Sequence, residues 1–130
     1  MRDLGEAMRL IVALLLIGLA APAWAEWVRY HVSSKGNSLY YDPSTVTKSG
    51  NLRRVWGLQD LKMRQTDGAL SRRNLWELNC AGGQYRNLGG TVHSGKMATG
   101  NVLSMWNTPS DWYYSPPNSG VERLLTIVCK

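Results

Sequence analysis

The stretch that decides the fold is "LRRVWGLQDLKMRQTDGALSRRNLWELNC", which spans residues 52–80. It contains two long runs of strand-forming residues. Between them stands Asp67-Gly68, a dipeptide that is typical of a two-residue β-hairpin turn. If this dipeptide is the turn, Thr66 pairs with Ala69 and the two runs become adjacent antiparallel strands. The stretch therefore predicts a long β-hairpin.

Side chains alternate across a strand, so this pairing divides the hairpin into two faces. The more apolar face carries a cysteine, and its members are Val55, Leu61, Met63, Trp76, Leu78 and Cys80. The second face mixes basic and apolar side chains, namely Arg54, Trp56, Leu58, Lys62, Arg64, Arg73 and Leu75. We expect the first face to be covered and the second to be open. A slip of the pairing by one residue would exchange the two faces.

The C-terminal segment "PPNSGVERLLTIVCK", residues 116–130, has a different period. Its apolar residues recur at helical spacing, at Val121, Leu124, Leu125 and Val128. Ser119 followed by Glu122 fits a capping box at the start of a helix. The segment predicts a short helix after a run of strands, and a last β-strand is the alternative because "LLTIVC" is also strand-like.

The N-terminus has the pattern of a secretory signal peptide. A basic start and an apolar stretch at residues 10–21 precede the small residues of "AWA" at 23–25. Cleavage there divides the chain into a signal peptide, residues 1–25, and one domain, residues 26–130. A membrane anchor is the alternative, but the apolar stretch is shorter than the roughly 20 residues that span a bilayer. We expect the mature protein to have no membrane span.

The two cysteines of the chain are Cys80 and Cys129. Export places them in an oxidising compartment, where two cysteines usually form a disulfide. A metal site is the alternative, but two sulfurs without nearby histidines make a poor ligand set. A disulfide between them would hold the predicted helix against the apolar face of the hairpin.

The formal net charge is +6 at pH 7, and the signal peptide contributes nothing to it because its two basic and two acidic residues cancel. Such a charge favours acidic partners, either a protein or an acidic glycan, and nucleic acid is not expected outside the cell. The basic residues concentrate on the hairpin, as Arg53, Arg54, Lys62, Arg64, Arg72 and Arg73. Arginines around an exposed tryptophan suit a binding interface, although a solvated face that resists aggregation is the alternative.

Catalytic signals are weak. Residues 90–97, "GTVHSGKM", nearly match a phosphate-binding loop, but Met97 stands where a hydroxyl would hold magnesium. The glycines there are expected to serve turns or bulges. His31 and His93 have no evident catalytic or metal-binding partner, and the carboxylates are scattered. We therefore expect no enzyme activity, no metal and no cofactor.

Several segments together resemble the surface-adhesin protein E family of exported bacterial domains. They are Trp27, "YYDPSTV", "VWGLQDLK", "SRRNLWELNC", "SDWYY" and "ERLLTIVC". The resemblance implies an α+β fold, with a curved antiparallel sheet of about six strands and a C-terminal helix tied to it by the disulfide. It also implies binding to host extracellular-matrix or plasma proteins. An adhesin of this type is lipid-anchored, whereas here no cysteine lies near the cleavage site.

Two functions follow from these expectations. The first is an adhesin-like binding module, secreted or on the surface of a Gram-negative bacterium, that engages a protein or an acidic glycan through the basic, tryptophan-bearing face. The second is a soluble periplasmic accessory protein that uses the same face to form a homodimer.

Overall fold

The computed structural model describes residues 25–130. The predicted signal peptide therefore lies outside the described residues, apart from Ala25. Within the described part of the chain, no helix is long and apolar enough to cross a membrane.

An antiparallel sheet and one C-terminal helix make up the fold. The strands are β1 (Val28–Val32), β2 (Ser38–Tyr41), β3 (Thr47–Ser49), β4 (Leu52–Asp60), β5 (Ser71–Asn79), β6 (Gln84–His93), β7 (Val102–Trp106) and β8 (Tyr113–Tyr114). The helix is α1 (Gly120–Val128), and short 3-10 turns lie at Pro43–Thr45 and Lys96–Ala98. This architecture confirms the predicted α+β fold and the helix after the strands.

The main path of the sheet has the strand order β1-β2-β4-β5-β6-β7, so its six strands agree with the expected number. Two short strands lie off this path: β3 pairs with β4, and β8 pairs with β6. Because β7 and β8 pair with different parts of β6, they form one interrupted edge. The linker of residues 107–112 joins them, and its Ser110 amide donates to the Asn87 carbonyl of β6.

The predicted register of the β4–β5 hairpin is wrong. Asp60 pairs with Ser71 and Trp56 with Leu75, whereas the two-residue turn would have placed Trp56 opposite Asn79. The turn contains three residues, since the Gln65 amide donates to the Ala69 carbonyl, and Gly68 adopts a positive φ of 87°. This is the common three-residue hairpin loop with glycine in the left-handed position.

A second irregularity accounts for the rest of the change in register. The next backbone hydrogen bond joins the Leu61 amide to the Leu70 carbonyl, so residues 62–64 have no counterparts on the other strand. The loop and the bulge together move the pairing by four residues. Because four is an even number, each side chain within β4 and β5 stays on its predicted face.

Helix α1 covers the apolar face, as predicted. Leu124, Leu125 and Val128 pack with Val55 and Leu78 in a cluster whose members are all buried. Each leucine removed from water in this way contributes on the order of 2 kcal/mol. This packing explains why the segment is a helix rather than a last strand: its apolar stripe fits the uncovered sheet.

Local chemistry fixes both ends of the helix. The Ser119 hydroxyl accepts a hydrogen bond from the Glu122 amide, which is the predicted N-cap. At the other end, Cys129 is bonded to Cys80, and their Cα atoms are 5.6 Å apart. The predicted disulfide is therefore confirmed.

Two residues assigned to the covered face lie elsewhere. Leu61 is buried in a separate cluster with Ala69 and Val92 at the far end of the sheet. Met63 is 71% exposed, because it lies in the bulge of residues 62–64 and not in a strand.

We expect the replacement of both Cys80 and Cys129 by serine to lower the free energy of unfolding by about 4 kcal/mol. The bond closes a long loop, because the two cysteines are 49 positions apart in the sequence, and so restricts the unfolded chain. Urea unfolding followed by tryptophan fluorescence measures the change. Wild-type protein with added reductant is the matched control and should lose the same amount. Equal stability with and without reductant would contradict this role of the bond.

Candidate binding face

The sheet surface opposite α1 is called the open face here. It is built from cross-strand neighbours on β4, β5 and β6, which lie side by side in three rows. The rows are Arg54–Glu77–Arg86, Trp56–Leu75–Gly89 and Leu58–Arg73–Thr91. Apolar and charged side chains therefore alternate along the face, as the sequence predicts.

Trp56 and Arg73 form a stacked pair on this face. The guanidinium carbon of Arg73 lies 4.0 Å from the centroid of the Trp56 ring. The two residues are diagonal neighbours, since Trp56 pairs with Leu75 and Arg73 with Leu58. A cation over an indole is attracted by the negative face of the ring, which holds both side chains in one geometry.

A groove of about 390 Å³ lies beside this pair. Its lining includes Trp56, Arg73, Leu75, Gly89, Met105 and Trp106. The groove exists because β6 bulges at Leu88, where Leu75 pairs with Gly89 but Trp76 already pairs with Asn87. A side chain at Gly90 would lie 2.1 Å from the Arg73 carbonyl oxygen, so this strand approaches its neighbour too closely for any residue but glycine.

The open face also contains a carboxylate whose burial between two arginines was not predicted from the sequence. Glu77 is only 1% exposed and lies between two arginines. Its Oε2 atom is 2.7 Å from Nε of Arg54, and its Oε1 atom is 2.7 Å from a terminal nitrogen of Arg86. Arg86 in turn lies under the Trp112 ring, 4.6 Å from its centroid. Arg54, Glu77 and Arg86 are direct neighbours only in the correct register. The sequence could therefore have revealed this cluster only if the register had been known.

The charge state of Glu77 follows from these contacts. Burial alone would raise the pKa of its carboxyl group, but the hydrogen bonds and charges of Arg54 and Arg86 outweigh burial and hold the pKa below its usual value. Glu77 is therefore ionised at neutral pH and joins three adjacent strands through charged hydrogen bonds.

Four of the seven predicted site residues come together on the open face: Arg54, Trp56, Arg73 and Leu75. Leu58 lies in one of the three rows of the open face, but it is only 2% exposed, so it offers no surface for contact with a partner. Lys62 and Arg64 lie in the bulge and not on the face, because β4 ends at Asp60.

Lys62 and Arg64 lie at other places in the structure. Arg64 donates hydrogen bonds to the carbonyl oxygens of Gly68 and Ser94, which holds it at the hairpin turn. Lys62 lies against Gly36 in the turn between β1 and β2. The placement of Lys62 and Arg64 beside Trp56 was therefore wrong, and the cause is the bulge.

The segment that resembled a phosphate-binding loop is a tight connection between β6 and β7. Its lysine, Lys96, donates to the Leu61 carbonyl oxygen, and its Met97 amide donates to an Asp60 carboxylate oxygen. The Asp60 carboxylate already accepts from this amide, and its negative charge would repel a phosphate. Among residues 25–130, no three His, Cys, Asp or Glu side chains gather into a metal-binding group.

Neither histidine belongs to a reactive group of side chains. His93 is buried on the side of Arg73, and its Nε2 atom lies 2.7 Å from the Thr91 hydroxyl. Burial, with a smaller effect from Arg73, lowers the pKa of His93 and favours its neutral form. His31 lies close to Gly120 at the start of α1.

Comparison with known proteins agrees with this geometry. The sequence profile of the family described as surface-adhesin protein E matches residues 27–130. This match confirms the resemblance drawn from the spaced aromatic residues and the two cysteines. No curated protein sequence matches the chain.

Solved structures share the fold. The selenomethionine form of Haemophilus influenzae protein E superposes with a TM-score of 0.63 at 13% identity, over 82% of this chain and 88% of that one. Crystal form II of the same protein gives a TM-score of 0.58 at 14% identity, over 85% and 93%. Protein E from non-typeable Haemophilus influenzae gives 0.53 at 14% identity, over 85% and 80%. At such low identity, these similarities show a common fold alone.

We expect Glu77→Gln to lower the free energy of unfolding at neutral pH by about 2 kcal/mol, because it removes the charge shared by Arg54 and Arg86. Both arginines reach solvent, which keeps the loss below that of a fully buried ion pair. Asp111→Asn, a change at an exposed residue, is the matched control and should have little effect. Urea unfolding of the three proteins measures the difference.

The pH dependence provides a second measurement on the same variant. The pKa of Glu77 is depressed in the folded state, so its stabilisation is present above the unfolded pKa of about 4.3 and is lost as the pH falls through the lower folded pKa. Wild-type stability should therefore fall in acid more steeply than that of Glu77→Gln. Parallel curves for the two proteins would contradict the buried ion cluster.

Proposed function

Because the chain belongs to the surface-adhesin protein E family, we propose that its open face binds a protein of the host extracellular matrix or plasma. Family membership supports an adhesin-like, non-enzymatic binding role and an exported or surface location. The observation that supports the choice of face is the stacked pair of Trp56 and Arg73 beside an apolar groove.

The residue types on this face are those that dominate protein interfaces. Tryptophan and arginine are enriched among the few residues that contribute most of the binding energy, especially beside a pocket that excludes water. Trp56 supplies the flat apolar surface, and the groove bounded by Leu75, Met105 and Trp106 accepts a side chain of the partner. Met105 is 75% exposed in the free protein, so binding would cover it.

The rigidity of the face adds to this capacity. Arg73 is held by the Trp56 ring, and Arg54 and Arg86 are held by Glu77. Side chains that are ordered before binding lose less conformational entropy in the complex. The side chains of the open face are therefore ordered before a partner binds.

Charge determines the kind of partner. Two of the three arginines of the face, Arg54 and Arg86, pair with one buried carboxylate, and the whole chain carries a net charge of +6 at pH 7. A positive surface attracts an acidic protein from a distance and speeds its association, and burial of Trp56 would follow. The partner is thus an acidic protein with an exposed apolar side chain.

Export is part of the same proposal. The signal peptide at residues 1–25 would carry the domain of residues 26–130 across the inner membrane, where the disulfide can form. Protease treatment of intact cells separates the two outcomes: digestion favours exposure at the surface, and protection favours the periplasm.

We expect Trp56→Ala and Arg73→Ala each to weaken binding about 30-fold in pull-downs with a panel of purified extracellular-matrix and plasma proteins. Trp56 loses its contact area and Arg73 loses both its charge and its stacked position. Arg54→Ala should reduce binding less, because its side chain already satisfies Glu77. Lys48→Ala is the matched control, since Lys48 is exposed on β3 and pairs with Arg53, away from the open face.

Unchanged binding in the Trp56, Arg73 and Arg54 variants would exclude the open face. The second candidate, self-association through this face in a periplasmic accessory protein, has its own test. Sedimentation of wild-type protein should show a monomer if the face awaits a foreign partner. A tight dimer that dissociates on Trp56→Glu would favour the periplasmic candidate instead.

A further inference from the structure

A second basic surface lies on the other side of the sheet, beyond the N-terminal end of α1. Two adjoining cavities of about 310 and 680 Å³ share Gln59 and Arg72 among their lining residues. Gln59 and Arg72 are cross-strand partners on β4 and β5. The two cavities therefore adjoin at this pair, and together they are called the basic groove here.

Three cationic side chains line the basic groove: Lys35 on the β1–β2 turn, Lys62 in the bulge of residues 62–64 and Arg72 on β5. Among the described residues that line either cavity, none is a carboxylate. Arg72 approaches one acid outside the groove, with a terminal nitrogen 3.5 Å from an Asp67 oxygen. The groove therefore presents a positive surface whose charge is little compensated.

The position of Lys62 is fixed by its surroundings. Its backbone amide donates to the Asn37 side-chain oxygen at 3.0 Å, which ties the bulge to the β1–β2 turn. Its side chain crosses Gly36, where an added Cβ would lie 2.8 Å from its Cδ atom. The bulge that removes Lys62 from the open face thus places it in the basic groove, beside the turn that carries Lys35.

The remaining lining differs from that of the open face. Around the cations, the larger cavity is lined mainly by hydroxyl and amide groups, from Ser33, Ser34, Asn37, Gln59 and Gln65. The smaller cavity adds the aromatic side chains of Tyr30, Trp76 and Tyr85. A pyranose ring carries hydroxyl groups that need such donors and acceptors, and it has an apolar face that suits an aromatic wall.

We propose that the basic groove binds a linear sulfated polysaccharide. Its repeated anionic groups complement Lys35, Lys62 and Arg72, and a linear chain is long enough to occupy both adjoining cavities. This site is separate from the open face and does not depend on the protein partner assigned there. A chain with both sites would attach to matrix glycan and matrix protein through opposite sides of one sheet.

The test uses a short, size-defined heparin oligosaccharide as the probe, with affinity measured by calorimetry at several salt concentrations. The double variant Lys35→Gln/Lys62→Gln keeps the aliphatic part of both side chains and should bind about tenfold or more weakly. The matched control is Lys48→Gln/Lys130→Gln, which removes the same charge from exposed positions outside the groove. It should bind as the wild type does, and both doubles should keep the wild-type unfolding midpoint.

Equal weakening in the two double variants would overturn the proposal, because it would show attraction to net charge alone. Displacement of the oligosaccharide by polyglutamate of equal charge would also overturn it, since the groove would then accept any polyanion. The variant Arg54→Gln/Arg73→Gln separates this site from the open face. It should leave oligosaccharide binding near the wild-type value, whatever its effect on binding to matrix proteins.

Discussion

The disulfide between Cys80 and Cys129 is the constraint on which the rest of the structure depends. It joins the residue after β5 to the residue after α1, so the helix lies along the sheet face that carries Val55 and Leu78. A helix of nine residues is too short to be stable alone in water. The covalent bond and the apolar stripe therefore act together, and they leave one face of the sheet uncovered.

An uncovered sheet face must be soluble and still hold its shape. Here one buried position of that face is a carboxylate, Glu77, and not a hydrophobic side chain. A buried charge is costly unless it is paired and hydrogen-bonded, and two arginines from adjacent strands meet that need. The same contacts align Arg54 and Arg86 and place Arg86 under Trp112. The charge pattern of the open face is thus a consequence of satisfying one buried acid.

The sequence predicted the two faces of the hairpin and the capped helix, because each follows from local spacing. It predicted the disulfide because two cysteines of an exported chain usually pair. Alternation along β4 and β5 identifies a face whatever the register, provided that any shift is even. The register itself could not be predicted. It depends on the three-residue turn at Thr66–Gly68 and on the bulge at residues 62–64, which hydrogen bonds of Arg64 to Gly68 and Ser94 support. The contacts to Ser94 are remote in sequence and leave no local pattern.

The error in register had unequal consequences for the candidate site. Trp56 and Arg73 lie within the strands and stayed on one face, and the change of partners made them neighbours. Glu77 acquired Arg54 as its opposite residue instead of Leu58, which turned an isolated acid into the centre of a charged cluster. Leu58 became a buried residue opposite Arg73. Residues inside regular strands were therefore predicted better than their pairings were.

The bulge also explains why one basic run in the sequence becomes two separate surfaces. A continued hairpin would have placed Lys62 beside Arg73 and made a single dense cationic patch, in which like charges repel. Instead the chain leaves the sheet at Asp60, and Lys62 packs over Gly36 on the opposite side. Arg72 and Arg73 point to different faces because they are consecutive residues of β5. Alternation and the bulge thus divide the charge of the hairpin between the two sides of the sheet, so a change to one surface can be made without altering the other.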